Sequence, residues 1–219
     1  MSLEYVRERI TAAARRGGRS VDEITLVAVG KTHPIEVLMK AYDDGHRAFG
    51  ENRAAELAAK AAAMPADVRW HFIGPLQSNK VRLVRPVAHL LHSMDRMSLA
   101  TAWLKGPGAP PPALLEVNLG DEHQKAGVTV AEAPAMVDRF LALGVDLQGV
   151  MAIPPQVDDP EASRPFFRRL AGLRDELASS FPAMRELSMG MTDDFEVAIE
   201  EGATIIRVGR AIFGPRNQH

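Results

Sequence analysis

Strand-like and helix-like segments alternate without a break from residue 24 to residue 208, and this limits the chain to a parallel sheet with helical crossovers. Eight short apolar runs, at 24–29, 47–49, 69–73, 88–92, 113–117, 145–151, 185–187 and 204–208, read as strands. Helical spacing is read at 34–43, 52–63, 79–84, 96–104, 130–143, 163–179 and 194–200, and a short turn follows the last strand. A further helix, 2–16, precedes the first strand and stops at Gly17-Gly18. The eight units predict an α/β fold, a single closed (β/α)8 barrel of the TIM type with an extra amino-terminal helix. An open doubly wound sheet is the runner-up, but no glycine fingerprint follows the first strand and no Walker-type loop occurs. With 219 residues, 46% of them hydrophobic, the chain is read as one domain over 1–219. Gly106-Pro-Gly-Ala-Pro-Pro-Pro112 is the most punctuated stretch, and is read as a βα-type connection rather than a boundary.

Barrels carry their functional groups after the carboxyl ends of the strands. Lys31 stands at such a place, at the end of Ile24-Thr-Leu-Val-Ala-Val-Gly-Lys31, with Pro34 opening the next helix. The β-branched run reads as a strand buried on both faces, so the amine is expected to be interior, partly discharged and nucleophilic, suited to a Schiff base. The bland reading is a lysine that snorkels to the sheet rim. The other strand ends present Glu51 with Asn52, His71 with Gly74, Ser93 with Asp95, Asn118, Met151 with Ile153, Ser188 with Gly190, and Arg207 with Gly209. Helix capping explains Asn52, Ser93 and Asp95 equally well, turn chemistry explains Asn118, and His71 reads as a hydrogen-bonded core histidine. Leu187-Ser-Met-Gly-Met-Thr-Asp-Asp194 and Arg207-Val-Gly-Arg-Ala-Ile-Phe-Gly214 are glycine-opened loops on the last two strands. There, barrels commonly bind a phosphate through backbone N–H groups. Ordinary turns using glycine for positive φ are the alternative.

Composition removes several classes. A formal charge of −2 argues against binding along nucleic acid, and Arg15-Arg16-Gly-Gly-Arg19 reads as a solvated helix end. Without cysteine there are neither disulfides nor thiolate metal sites, and no His/Asp/Glu set has metal-ligand spacing. No apolar run approaches a membrane span and the first ten residues are not signal-like, so a cytoplasmic protein is expected.

Val27-Ala-Val-Gly-Lys-Thr-His-Pro34, Phe49-Gly-Glu-Asn52, Trp70-His-Phe-Ile-Gly-Pro-Leu-Gln-Ser-Asn-Lys80, His92-Ser-Met-Asp95, Gly149-Val-Met-Ala-Ile-Pro154 and the two terminal loops follow one pattern. Over most of its length the chain resembles the pyridoxal phosphate homeostasis protein family, also called YggS-like or proline synthetase co-transcribed homologue. The resemblance implies a fold-type III barrel like the amino-terminal domain of alanine racemase, without that enzyme's carboxyl-terminal β domain. It implies pyridoxal 5′-phosphate (PLP) held as a Schiff base on Lys31. It also implies that Ser188, Gly209 and Arg210 serve the phosphate, that Arg207 faces the pyridine nitrogen, and that Asn52 and Met189 lie near the ring. Gly30, His33, Thr192 and Ala203 depart from the pattern, which commonly has Ser, Lys, Ser and Ser there. The implied role is intracellular PLP homeostasis: a monomer that buffers the cofactor or delivers it to apo-enzymes, with little or no turnover.

The alternative is a PLP-dependent amino-acid racemase, which needs a proton donor or acceptor on each face of the substrate carbon. The only tyrosines, Tyr5 and Tyr42, fall in the first two helices, away from the expected face. A guanidinium at the pyridine nitrogen also makes the ring a weaker electron sink than a carboxylate would. A Schiff-base aldolase for a phosphorylated sugar is a third reading, and it predicts no chromophore.

Overall fold

The computed structural model describes residues 2–120, 126–155 and 157–215. Its strands are β1 Thr25–Val29, β2 Ala48–Glu51, β3 Arg69–Phe72, β4 Ala88–Met94, β5 Ala113–Asn118, β6 Val128–Thr129, β7 Leu147–Met151, β8 Glu186–Ser188 and β9 Ile205–Val208. Its helices are α1 Leu3–Arg16, α2 Ile35–Asp43, α3 Ala54–Ala63, α4 Val81–Val84, α5 Met97–Leu104, α6 Ala133–Leu143, α7 Arg164–Ser180, α8 Phe195–Glu200 and α9 Arg210–Phe213. All strand pairs are parallel, and β1 pairs with β9 while β4 pairs with β5, so eight strands close into a ring in chain order. The predicted barrel is the observed one, and the open sheet is excluded. The ninth strand, β6, adds two residues to the edge of β5 and is too short to leave a periodic pattern.

Side-chain alternation sorts the core into two layers. Val27 and Val29 of β1 pack inside the ring with Leu90, Leu114, Met151 and Ile205. Leu26 and Ala28 face the other way, into the larger layer between strands and helices that holds Leu38, Phe49 and Ile206. That is why β1 reads as an unbroken apolar run: both of its faces are covered.

Two expectations need correction. The basic cluster at the end of α1 is exposed at Arg15 and Arg16, as expected, but it is more than a solvated end. Arg16 donates to Glu200 at 2.6 Å and to Glu196 at 2.8 Å, and Arg19 Nη1 donates to the carbonyls of Ile199 (3.1 Å) and Ala203 (2.7 Å). With Val6, Ile10 and Ala13 buried beneath, these bonds seat α1 on α8. Gly106–Pro112 runs from α5 into β5, an αβ rather than a βα connection. Arg85 pins its start, donating to the carbonyls of Trp103, Pro107 and Gly108, each at 2.7 Å.

Arg164 shares Glu200 with Arg16 and also bridges Glu161 and Glu201. Networks of this kind are worth more than single surface pairs, but solvent still screens them. Arg164→Ala is expected to cost about 1 kcal/mol, with a smaller cost at high salt. Urea midpoints at two salt concentrations check this, and an unchanged midpoint at low salt would remove the network from the stability account.

Candidate functional site

β1 ends at Val29, and the chain turns at once. The Gly30 N–H donates to the Gly50 carbonyl and the His33 N–H to the Gly30 carbonyl, both at 3.0 Å. Within this turn Lys31 is half-buried, not interior as expected. Its place past the last paired residue, rather than on the strand, is the reason. Thr32 takes φ 66°, alone in the positive range among the described non-glycine residues. For a β-branched residue that backbone is strained and must be held by its surroundings. His33 is buried, with its ring 5.5 Å from that of Phe213.

The β1–β9 register, Ala28 opposite Val208, sets Gly209 beside Val29. A Cβ at Gly209 would lie 3.1 Å from the Val29 carbonyl oxygen, so the lysine turn and the last loop are in direct contact. Gly190 opens the neighbouring loop at φ 87°, where a Cβ would meet Ala198 Cβ at 2.5 Å; only glycine lets this loop lie on α8. Asp194 holds the loop from within, accepting from the Met191 N–H at 2.7 Å and the Ser163 hydroxyl at 3.3 Å. Arg210 is exposed and forms an ion pair with Asp193, which joins the two loops. α8 has six residues and α9 four, so helix dipoles add little here.

Below the loops a hydrogen-bonded chain crosses the barrel interior. Arg207, 3% exposed, donates from Nη1 to Ser188 Oγ at 2.5 Å and from Nη2 to the Ala152 carbonyl at 3.0 Å. Ser188 Oγ lies 2.9 Å from His92 Nδ1, and His92 Nε2 lies 2.9 Å from His71 Nδ1. The serine oxygen accepts from the guanidinium, and the Ser188–His92 and His92–His71 contacts each share one hydrogen. Burial keeps both imidazoles neutral, with His71 lowered to about 3 and His92 well below the ordinary value. Burial also lowers Arg207, to about 10, against the pull of Asp194 and Glu116, so it stays cationic at neutral pH.

The site residues read from sequence are therefore brought to one end of the barrel, though not all in the expected manner. Ser188 is fully buried, with its hydroxyl engaged by Arg207 and His92. Met189 is also fully buried. Asn52 directly follows β2, and its Oδ1 is buried without a partner, an acceptor left for something else to satisfy. Capping is not what Asn52, Ser93 and Asp95 do: the N-cap positions of α3 and α5 are Arg53 and Arg96, without side-chain cap bonds. Ser93 donates to the Gly74 carbonyl at 2.6 Å, and Asp95 pairs with Arg96 at 2.6 Å. Asn118 Oδ1 accepts from the Gly120 N–H at 3.2 Å, as the turn reading has it. His71 is the hydrogen-bonded core histidine expected.

Sequence reasoning missed Glu116 on β5. Its carboxyl is raised to about 7 by burial and by Asp95, opposed by Arg207 and Arg96, and its Oε2 is buried without a partner. The available signal was a lone acid in the apolar run Ala113-Leu-Leu-Glu-Val117. The tyrosines lie elsewhere. Tyr42 donates to Asp67 at 2.7 Å ahead of β3, on the amino-terminal side of the barrel, and Tyr5 is exposed on α1.

Residues 2–217 match the family described as the alanine racemase N-terminal domain. The chain is 43% identical over 220 residues to the pyridoxal phosphate homeostasis protein of Aquifex aeolicus, covering 98% of this chain and 96% of that one. It is 40% identical over 224 residues to the protein of the same name from Escherichia coli K12, covering 99% and 96%. Among solved structures, PipY of Synechococcus elongatus PCC7942 with PLP bound superposes with a TM-score of 0.79 at 33% identity, covering 95% of this chain and all of that one.

Proposed function

This chain belongs to the alanine racemase N-terminal-domain family and, within it, to the pyridoxal phosphate homeostasis proteins, and we propose that it binds PLP through Lys31 and buffers or delivers it. The observation that carries the reading is the meeting of the Lys31 turn with the Gly209 loop, directly above the buried Arg207. The residues present fit such a ligand. Lys31 supplies an amine open enough to reach an aldehyde. Arg207 presents a fixed cation to a ring nitrogen, and the unpartnered Oδ1 of Asn52 offers an acceptor near the ring. Met189 sits behind Ser188 in the layer between strands and helices, and backs the site rather than facing it. Gly209 and Arg210 offer the first N–H groups of α9, which have no intrahelical partner, to a phosphate. Ser188 then acts from below, orienting Arg207 through its hydroxyl rather than reaching the phosphate. When bound, the cofactor supplies an aldehyde that condenses with an amine.

Little turnover is expected. Arg207 keeps its charge, and neither tyrosine lies where a second base for racemisation would stand. The working form is a cytoplasmic monomer that passes the cofactor to apo-enzymes. Among the described residues no helix is long and apolar enough to cross a membrane. Incubation with PLP followed by dialysis should leave a yellow protein, bleached by borohydride, that does not interconvert L- and D-alanine. A colourless protein would refute PLP attachment and favour the sugar-phosphate aldolase, while rapid interconversion would make it a racemase.

A further inference from the structure

Lys60 of α3 is 5% exposed, enclosed between its helix and β2. Lysines are almost never buried unless paired. This one donates to three acceptors: the Gly30 carbonyl at 2.8 Å, Glu51 Oε1 at 2.5 Å and Glu56 Oε1 at 2.8 Å. Its three N–H groups are thus fully used. The same Glu56 oxygen also accepts from the Thr32 N–H at 2.7 Å. The peptide groups on either side of Lys31, the carbonyl of Gly30 before it and the amide of Thr32 after it, therefore end on one ammonium–carboxylate pair. Thr32 is the strained residue of this segment, and Glu56 is what holds it. Burial alone would raise the Glu56 carboxyl; the bonds from Lys60 and Thr32 overcome that and keep it ionised.

We propose that Lys60 is a positioning residue for Lys31: it clamps the backbone on both sides of that residue and so aims its amine at the aldehyde of a bound ligand. The proposal rests on Lys31 being the attachment point. In the step it serves, the amine nitrogen replaces the carbonyl oxygen, which leaves as water with the two amine hydrogens. A purely structural latch between α3 and β2 would need neither the Gly30 carbonyl nor the link to Thr32. A buried ion pair is in any case weak support for stability alone.

The test uses two variants. Lys60→Met with Glu51→Gln removes the ammonium without leaving a naked buried carboxylate. Glu56→Ala releases Thr32 but leaves the Lys60–Glu51 pair in place, and it carries the test alone if the first variant does not fold. In the ligand-free protein, hydrogen exchange at the Thr32 amide reads the clamp directly. Thr32 is exposed, so its protection comes from the bond to Glu56. Exchange should quicken about tenfold or more in both variants while the Leu91 amide of β4 stays protected. With PLP added, borohydride-trapped label at residue 31, located by mass spectrometry, should form about tenfold more slowly, while inorganic phosphate competes as well as before. Unchanged Thr32 exchange and labelling rate in the folded variants would overturn the clamp. Label on another lysine of the unmutated protein would instead overturn the attachment reading.

Discussion

Lys31→Ala is expected to abolish the borohydride-stable label and the yellow colour, while PLP still binds reversibly and is removed by dialysis. The proposed phosphate and ring partners lie on β8, β9 and the turns after β2 and β9, none of them on the turn that carries residue 31. The substitution therefore separates covalent from noncovalent holding. Residue 31 is half-buried in a turn whose shape is set by backbone bonds, so Ala leaves the fold intact. Absorbance after dialysis, with peptide mapping of the reduced adduct, is the measurement. A persistent label would send the attachment elsewhere. Lys80 is exposed after β3, and Lys125 lies outside the described residues. Lys60, whose three N–H groups are engaged, is a poor candidate.

The second large effect is acid lability. Burial lowers His46 to about 4 and His71 to about 3, and places His92 well below the ordinary value. Above about pH 6.5 all three are neutral whether folded or not, and contribute no pH dependence. As pH falls below that, the unfolded chain takes up protons that the folded chain refuses. Stability then drops by about 1.4 kcal/mol per histidine for each pH unit, until the folded value is reached. Glu116 works in the opposite direction. Its carboxyl, raised to about 7 when folded, binds a proton earlier than in the unfolded chain and adds stability as pH falls toward 4.5. Burial raises Glu51 and Asp194 in the same sense and lowers His89 with the other histidines, so four histidines stand against three carboxyls. Urea unfolding should therefore lose about 2 kcal/mol between pH 7 and pH 5. A flat profile over that window would mean that the interior histidines already carry charge when folded, and would refute the neutral Ser188–His92–His71 chain.

All eight barrel strands were legible within three residues because each is a short apolar run with a turn signal at its end. Lys31 was legible for the same reason, standing where a β-branched run meets a glycine. What escaped were side chains whose meaning lies on other strands. Lys60, in Ala-Ala-Glu-Leu-Ala-Ala-Lys-Ala-Ala-Ala, looks like the cation of an exposed i,i+4 pair with Glu56; only Glu51, one strand earlier, makes it interior. His92 and Ser188 are 96 residues apart, and no local pattern announces that they touch. Ser188 carries a phosphate expectation by resemblance, and its contacts to Arg207 and His92, on strands far off in sequence, left no mark around it. The 79–84 segment forms a 3-10 turn, Ser78–Lys80, before four α-helical residues, and lacks a side-chain cap to announce the change.

The seam between β1 and β9 gives manufacture a direction. A ribosome delivers the lysine turn long before Arg207 and Gly209, which lie beside it in the finished ring. Until Val208 emerges, the growing chain has an open edge and no vessel for a vitamin. Competence to hold cargo therefore waits on the closing of this seam.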